Sequence, residues 1–350
     1  MNDKEAEYYA SEFTDAQIDT RAGEAKDSFI GWTRFRHGDF QCTVVTDGPR
    51  RMGSPADAFP KADPKEIAEL LTAAFLSAES MTLNQNLLIV NTGESLVLFD
   101  TGCGVNQSFG ESSFGPDIGR AIWNMRAAGI NPEDIGLVAI THAHPDHCWG
   151  LVDDNGNRLY PNAKIAISAT DYDYWTDLTH IPEAPTQQKK DFFSGARYNL
   201  LPYRDRLIFV EDGKQVVPGI TAHAATGHSP GHYIYAIESR GETLIVIGDL
   251  SHHQVLLLKR PRWEFKFDDD SAKAAETRIR LFDQIVQERH AILAYHFPFP
   301  GLGHLRKDAD GYTWVATPMD LGSNAGQHAA PVQISPFHGF AIDEPGEHLL

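Results

Sequence analysis

The chain has 350 residues, 42% hydrophobic and 22% charged, the balance of a globular protein that buries a sizeable core without disulfide staples. A formal net charge of −18 opposes a phosphate backbone, and basic clusters such as Lys259 to Arg262 are too short to reverse that, which argues against nucleic acid. No run approaches the roughly 18 apolar residues that cross a bilayer, so no membrane partner is expected.

Residues 1–30 are polar and acidic, read as an N-terminal arm, and carry neither a basic-then-apolar leader nor an amphipathic transit pattern, so a cytoplasmic setting is expected. Cys42, Cys103 and Cys148 are an odd, scattered set that reads as reduced thiols. One folded domain is expected over residues 31–317, with an alternating strand at 40–46 and a helix at 64–76. Strands at 83–90 and 95–99 flank Asn91-Thr92-Gly93-Glu94, a hairpin turn that delivers Asp100 to a strand end. Residues 117–128 read as a helix, and a short buried strand at 137–140 runs into Thr141-His142-Ala143-His144-Pro145-Asp146-His147.

A strand at 164–168, a helical aromatic segment at 169–177 and strands at 207–210 and 220–224 lead to Thr226-Gly227-His228-Ser229-Pro230-Gly231-His232. Stretches 104–115 and 177–198 read as loops. A second hairpin, 232–237 with 243–247, ends in Gly248-Asp249 much as the first ended in Asp100, a hint of internal duplication. The strongest helical pattern covers 271–287, capped by Asp270 or Ser271, and a strand at 291–295 ends at His296. Residues 318–350 give no reading beyond a C-terminal tail. Strands interleaved with helices predict an α/β fold, mixed sheets sandwiched between helices, with the polar clusters at strand ends.

Sixteen histidines exceed what packing asks for, and they cluster. His142, His144, Asp146 and His147 fall within six residues, a concentration that is costly to bury unless a cation compensates it. Imidazole and carboxylate without thiolate suit zinc, manganese, iron or cobalt, so the donors imply a metal more firmly than they name one. His37, His180, His223, His328, His338 and His348 read as ordinary residues, whereas His232, His252, His253 and His304 lie near the clusters in sequence and are candidates for support.

His142-x-His144-x-Asp146-His147 after a strand resembles the signature of the metallo-β-lactamase superfamily, and His228, Asp249 and His296 follow in that superfamily's order. The resemblance implies an αββα sandwich holding two divalent metal ions, Zn2+ first. His142, His144 and His228 would bind one ion and Asp146, His147 and His296 the other, with Asp249 bridging. Asp146 and Asp249 would then carry catalytic weight, and Asp100 would steady this edge from behind. A bridging carboxylate points away from true zinc β-lactamases and towards lactonase, glyoxalase II and phosphotriesterase branches.

The stretches SFGPDIGR, ITHAHPDH, DFFSGA, GHSPGH, IGDL and FPGLGHLRKDADGYTW are similar to the methyl parathion hydrolase and quorum-quenching lactonase group. By that likeness Phe114, Trp175 and Phe192, with Phe193 beside them, would surround a leaving group; core packing is the alternative reading of the same aromatics. The implied activity is cleavage of a lactone or aryl ester by a metal-bridging hydroxide, with phosphotriester hydrolysis as the alternative. A homodimer is implied by the likeness alone.

Overall fold

The computed structural model describes residues 31–105 and 114–318. The expected arm at 1–30 and residues 319–350 of the expected tail lie outside the described residues.

Strands β1 (Trp32–His37), β2 (Phe40–Thr46), β3 (Arg50–Gly53), β4 (Met81–Leu83), β5 (Asn86–Asn91), β6 (Leu96–Phe99), β7 (Ile135–Ala139), β8 (Lys164–Ser168) and β9 (Leu207–Val210) occupy the first half. Strands β10 (Lys214–Val217), β11 (Ile220–Ala224), β12 (Tyr233–Ser239), β13 (Glu242–Val246), β14 (Ala291–Leu293), β15 (Leu302–Asp308) and β16 (Gly311–Ala316) occupy the second. They form a seven-stranded sheet ordered β1-β2-β5-β6-β7-β8-β9, a second of order β10 through β16, and a small β3-β4 pair. Each large sheet contains a hairpin followed by a parallel neighbour, β5-β6 then β7 and β12-β13 then β14, which gives the suspected repeat a structural counterpart.

Period-two alternation decides the layers. Leu88 and Val90 of β5 join Tyr235 and Ile237 of β12 and Leu244 and Val246 of β13 in the core between the sheets. Their neighbours Leu87 and Ile89 face outward, into a second core with Trp149, Trp175 and Phe192. On the far side Ile245 and Ile247 meet Leu281, Phe282 and Ile285 of the helix Ser271–Glu288. Burial of those three side chains, about 1.5–3 kcal/mol each, holds that helix on the sheet. Asp270 caps it, accepting from the Lys273 N–H at 3.0 Å. Both faces of both sheets are thus covered, the αββα sandwich expected.

Differences from the sequence reading have local causes. The strand expected at 83–90 breaks at Asn84-Gln85, where Asn84 and Asn86 backbone donors turn aside to His296 and Tyr295. The helix expected at 117–128 begins only at Ala121, because Asp47 Oδ1 takes the Ala121 N–H and its backbone carbonyl takes the Arg120 N–H. Within the supposed loop 177–198, Gln187–Leu200 is a 14-residue helix capped by Thr186, its apolar face interrupted by Gly195, which packs against Trp149. Strands β1, β3, β10, β15 and β16 were not anticipated. No described helix is long and apolar enough to cross a membrane, and Cys42, Cys103 and Cys148 are buried free thiols.

Candidate metal centre

Four loops at one edge of the sandwich converge. After β7, His142 and His144 sit two residues apart with their ring centres 4.6 Å from one another; Pro145 then opens the short helix Pro145–Cys148, which carries Asp146 and His147. His228 comes from the β11–β12 turn, Asp249 from the tight turn Gly248–Leu250 after β13, and His296 from the segment after β14. All seven side chains are buried.

The ligand-type atoms fall into two groups. His144 Nδ1 lies 2.9 Å and His142 Nε2 3.1 Å from His228 Nε2. Asp249 Oδ2 joins them at 3.1 Å from His228 Nε2 and 3.7 Å from His142 Nε2. In the second group Asp249 Oδ1 is 3.2 Å from both His147 Nε2 and His296 Nε2, and Asp146 Oδ2 is 3.7 Å from His296 Nε2. Asp249 therefore reaches both groups, Oδ2 the first and Oδ1 the second, with Oδ2 also 3.3 Å from His296 Nε2.

These distances fit cations better than a hydrogen-bonded network. Three imidazole nitrogens about 3 Å apart cannot all be satisfied by the protons available between them. His147 Nε2 and Asp249 Oδ1 are buried and make no hydrogen bond despite their 3.2 Å approach, because each is aimed at a shared point and not at the other. Nitrogen and oxygen donors without sulfur match divalent first-row metals.

Behind the cluster, partners fix which nitrogen each imidazole offers. His147 Nδ1–H donates to Asp100 Oδ2 at 2.8 Å, while the Thr141 N–H donates to Asp100 Oδ1. His228 Nδ1–H donates to Asp268 Oδ1 at 2.8 Å, and His296 Nδ1–H to the Asn84 carbonyl at 2.9 Å. Asp100 stands where the sequence reading put it, at φ +60° on its strand end. Burial opposes charge on His147, but Asp249, Asp100 and Asp146 outweigh it and raise the imidazole well above its usual range. Burial likewise opposes charge on Asp146; Arg50, then His147 and His296, hold its carboxyl below the usual value.

Two buried groups tie the loops together. Asp171 accepts from the Ala143 N–H at 2.6 Å and the Gly231 N–H at 2.9 Å, and from the Ser229 hydroxyl, so one carboxyl clamps the loops of His144 and His228. His232 donates from Nδ1 to the Ala225 carbonyl and accepts the Asp249 N–H at Nε2, which seats Asp249. His252 Nε2–H donates to Asp249 Oδ2 at 2.9 Å, and its ring stacks on Phe265 at 3.7 Å. His253 instead faces its own backbone, accepting from Val255 and Leu256 N–H, and His304 is exposed on β15.

A narrow cleft opens on the centre, walled by Arg50, Leu83, Phe192, Phe265 and Phe267. Of the aromatics expected around a substrate, only Phe192 lines it. Trp175 packs edge-on behind His144 and donates to Ser229, and Phe193 packs behind Trp175. Phe114 lies over Arg50 and against Trp149. Trp175 and Phe193 are both fully buried. Arg50, Asp171, Asp268, Phe265 and Phe267 escaped the sequence reading. Asp268 begins an acidic run ahead of a helix and Asp171 sits in a helix first turn, where acids are ordinary.

The family model of the metallo-beta-lactamase superfamily matches residues 82–296. An N-acyl homoserine lactonase of Bacillus cereus is 24% identical over 171 residues, 45% of this chain and 60% of the relative. The N-acyl homoserine lactonase AiiA of Bacillus thuringiensis subsp. kurstaki is 25% identical over 173 residues, 45% of this chain and 61% of the relative, so the chain spans about three fifths of these relatives. Among solved structures, the dizinc quorum-quenching lactonase AidC, with a product bound, superposes with a TM-score of 0.77 at 26% identity over 83% of this chain and 99% of its own. The hydrolase AbOPH of the beta-lactamase superfamily gives 0.76 at 29% identity over 84% and 99%.

Proposed function

We propose, from the premise that the chain belongs to the metallo-β-lactamase superfamily, that it is a metal-dependent hydrolase of lactones or aryl esters. The observation that carries this reading is Asp249, whose two oxygens between them approach His142, His228, His147 and His296, so that a single carboxylate would serve two cations. His142, His144 and His228 would hold one divalent ion, Asp146, His147 and His296 the other; zinc suits the donors and is the metal of the similar lactonase AidC. Bound there, such ions supply Lewis acidity and water activation at neutral pH.

The protein's own groups do the rest. Asp100 and Asp268 keep His147 and His228 in the tautomer that points Nε2 inward. Asp171 and His232 set the loops, so little reorganisation is left to the reacting state. Leu83, Phe192, Phe265 and Phe267 offer an apolar wall for an acyl or aryl group and shed water from it. The lactonase relatives favour a lactone among carbonyl substrates.

Initial rates of the metal-reconstituted protein on an acyl-homoserine lactone, an aromatic lactone, an aryl ester and a dialkyl aryl phosphate test the proposal, with Asp249→Ala as control. Carbonyl substrates should lead by orders of magnitude and the control should be inactive. A dominant phosphotriesterase rate, or no cleavage with metal bound, would overturn it.

A further inference from the structure

Arg50 begins β3 and is 7% exposed, an unusual place for a guanidinium. Nη1 donates to Asp146 Oδ2 at 3.2 Å, and the group is held with its carbon 4.3 Å from the Phe114 ring centre and 5.5 Å from that of Phe267. Guanidinium has five N–H donors in a fixed fork. Among the described residues Nη1 alone has an acceptor; Nε and Nη2 find none there, yet are not sealed in, because Arg50 lines the cleft.

The other lining groups supply no comparable donor. Leu83, Pro145 and the phenylalanines have none, and Asp146 and Asp249 only accept. The protons of His228, His252 and His296 are committed to Asp268, Asp249 and the Asn84 carbonyl. His144 turns Nδ1 to the metal donors and buries Nε2. Arg50 is thus the described lining residue with cationic donors to spare, set beside a carboxylate of the second ligand group.

We propose that Arg50 is a catalytic residue that binds the departing oxygen of the substrate and stabilises its negative charge without surrendering a proton. The inference rests on the hydrolase reading above. In the step it serves, the oxygen of water bonds to the carbonyl carbon and the bond from that carbon to the leaving oxygen breaks, its electron pair going to the leaving oxygen. That oxygen is then protonated by the proton water gave up, so lactone plus water gives a hydroxy acid, released as carboxylate and a proton. Arg50 stays charged throughout. Its contribution must therefore grow with the basicity of the leaving oxygen, large for an alkoxide and small for a nitrophenolate.

The experiment is a series of esters with one acyl group and leaving groups running from alkyl alcohol to 4-nitrophenol, plus one lactone, on metal-reconstituted wild type, Arg50→Lys and Arg50→Met, with metal content measured for each. The expected result is a loss in kcat/KM of about 100-fold for the lactone and alkyl esters in Arg50→Met, less than about threefold for the nitrophenyl ester, and partial recovery in Arg50→Lys. An equal loss across the series, or none, overturns the proposal while leaving the hydrolase reading intact. Should Arg50→Met fold poorly or lose metal, Arg50→Lys decides by the same criterion: a loss graded with leaving-group basicity supports the role and a uniform one refutes it. A wild type that cleaves nothing in the series refutes the underlying reading itself.

Discussion

Replacing Asp171 with alanine tests whether one buried carboxyl organises the centre from outside it. Asp171 touches none of the metal-type atoms, yet the Ala143 and Gly231 N–H groups and the Ser229 hydroxyl all end on it. Asp171→Ala strands two backbone donors in a dry interior, at about 1–3 kcal/mol each, while the hydroxyl can turn elsewhere. Burial raises the Asp171 carboxyl pKa against those three hydrogen bonds, so removing it returns part of a desolvation cost. The net expectation is a loss of about 3 kcal/mol, a large share of the roughly 5–15 kcal/mol that a domain holds. Metal affinity should fall with it, because the loops of His144 and His228 lose their common anchor. Urea unfolding of the metal-free protein followed by tryptophan fluorescence, and metal titration of the folded protein, give the two readings. Asp173→Ala, exposed on the same helix, is the control. An Asp171→Ala protein within about 0.5 kcal/mol of wild type, the range of ordinary surface changes, with unaltered metal binding, would refute the clamp.

Gly248→Ala should weaken metal binding at least tenfold by competition titration: its φ is +48°, and an added Cβ would lie 2.5 Å from His232 Nε2, the atom that seats Asp249. Asp100→Asn and Asp268→Asn should each lower metal affinity about 10–100-fold with thermal unfolding little changed, because His147 and His228 lose the carboxylates that fix their tautomers; unchanged affinity in a chromophoric chelator competition would count against that role. Acid should destabilise the protein partly through His253, whose pKa burial depresses to about 4 from 6.5 while its Nδ1 accepts two backbone N–H groups. A depressed folded pKa means the stability is complete above pH 6.5 and is lost as pH falls towards 4, by up to about 1.4 kcal/mol per pH unit. Urea midpoints measured across that window should fall less steeply in His253→Asn than in wild type.

Much of the site was legible because its ligands come in short, chemically dense words. His142 to His147 packs four donors into six residues, His142 and His144 before Pro145 and Asp146 and His147 on the short helix that Pro145 starts. Asp100 was legible as an acid delivered by a hairpin. Asp171, Asp268 and Arg50 were not, since each is one ordinary charged residue whose role depends on partners 28, 40 and 96 positions away. The pocket aromatics show the same limit. Phe114, Trp175, Phe192 and Phe193 share composition and neighbourhood, but which ring meets the cleft depends on how the helix Gln187–Leu200 lies over Trp149 and Trp175.

Residue order by itself determined the layers of mixed sheet and helix and the dense donor cluster at 142–147, because alternation with period two, caps, turn residues and close donor spacing are local properties that backbone sterics convert directly into structure, whereas the sharing of His228, Asp249 and His296 between two groups was implied by the family resemblance. Tertiary structure alone decided the direction of each imidazole, the His232 bond that seats Asp249, and the guanidinium placed in the lining of the cleft. Those depend on hydrogen bonds and packing between segments remote in sequence, whose geometry is set only when both sheets and their covering helices close around the same edge.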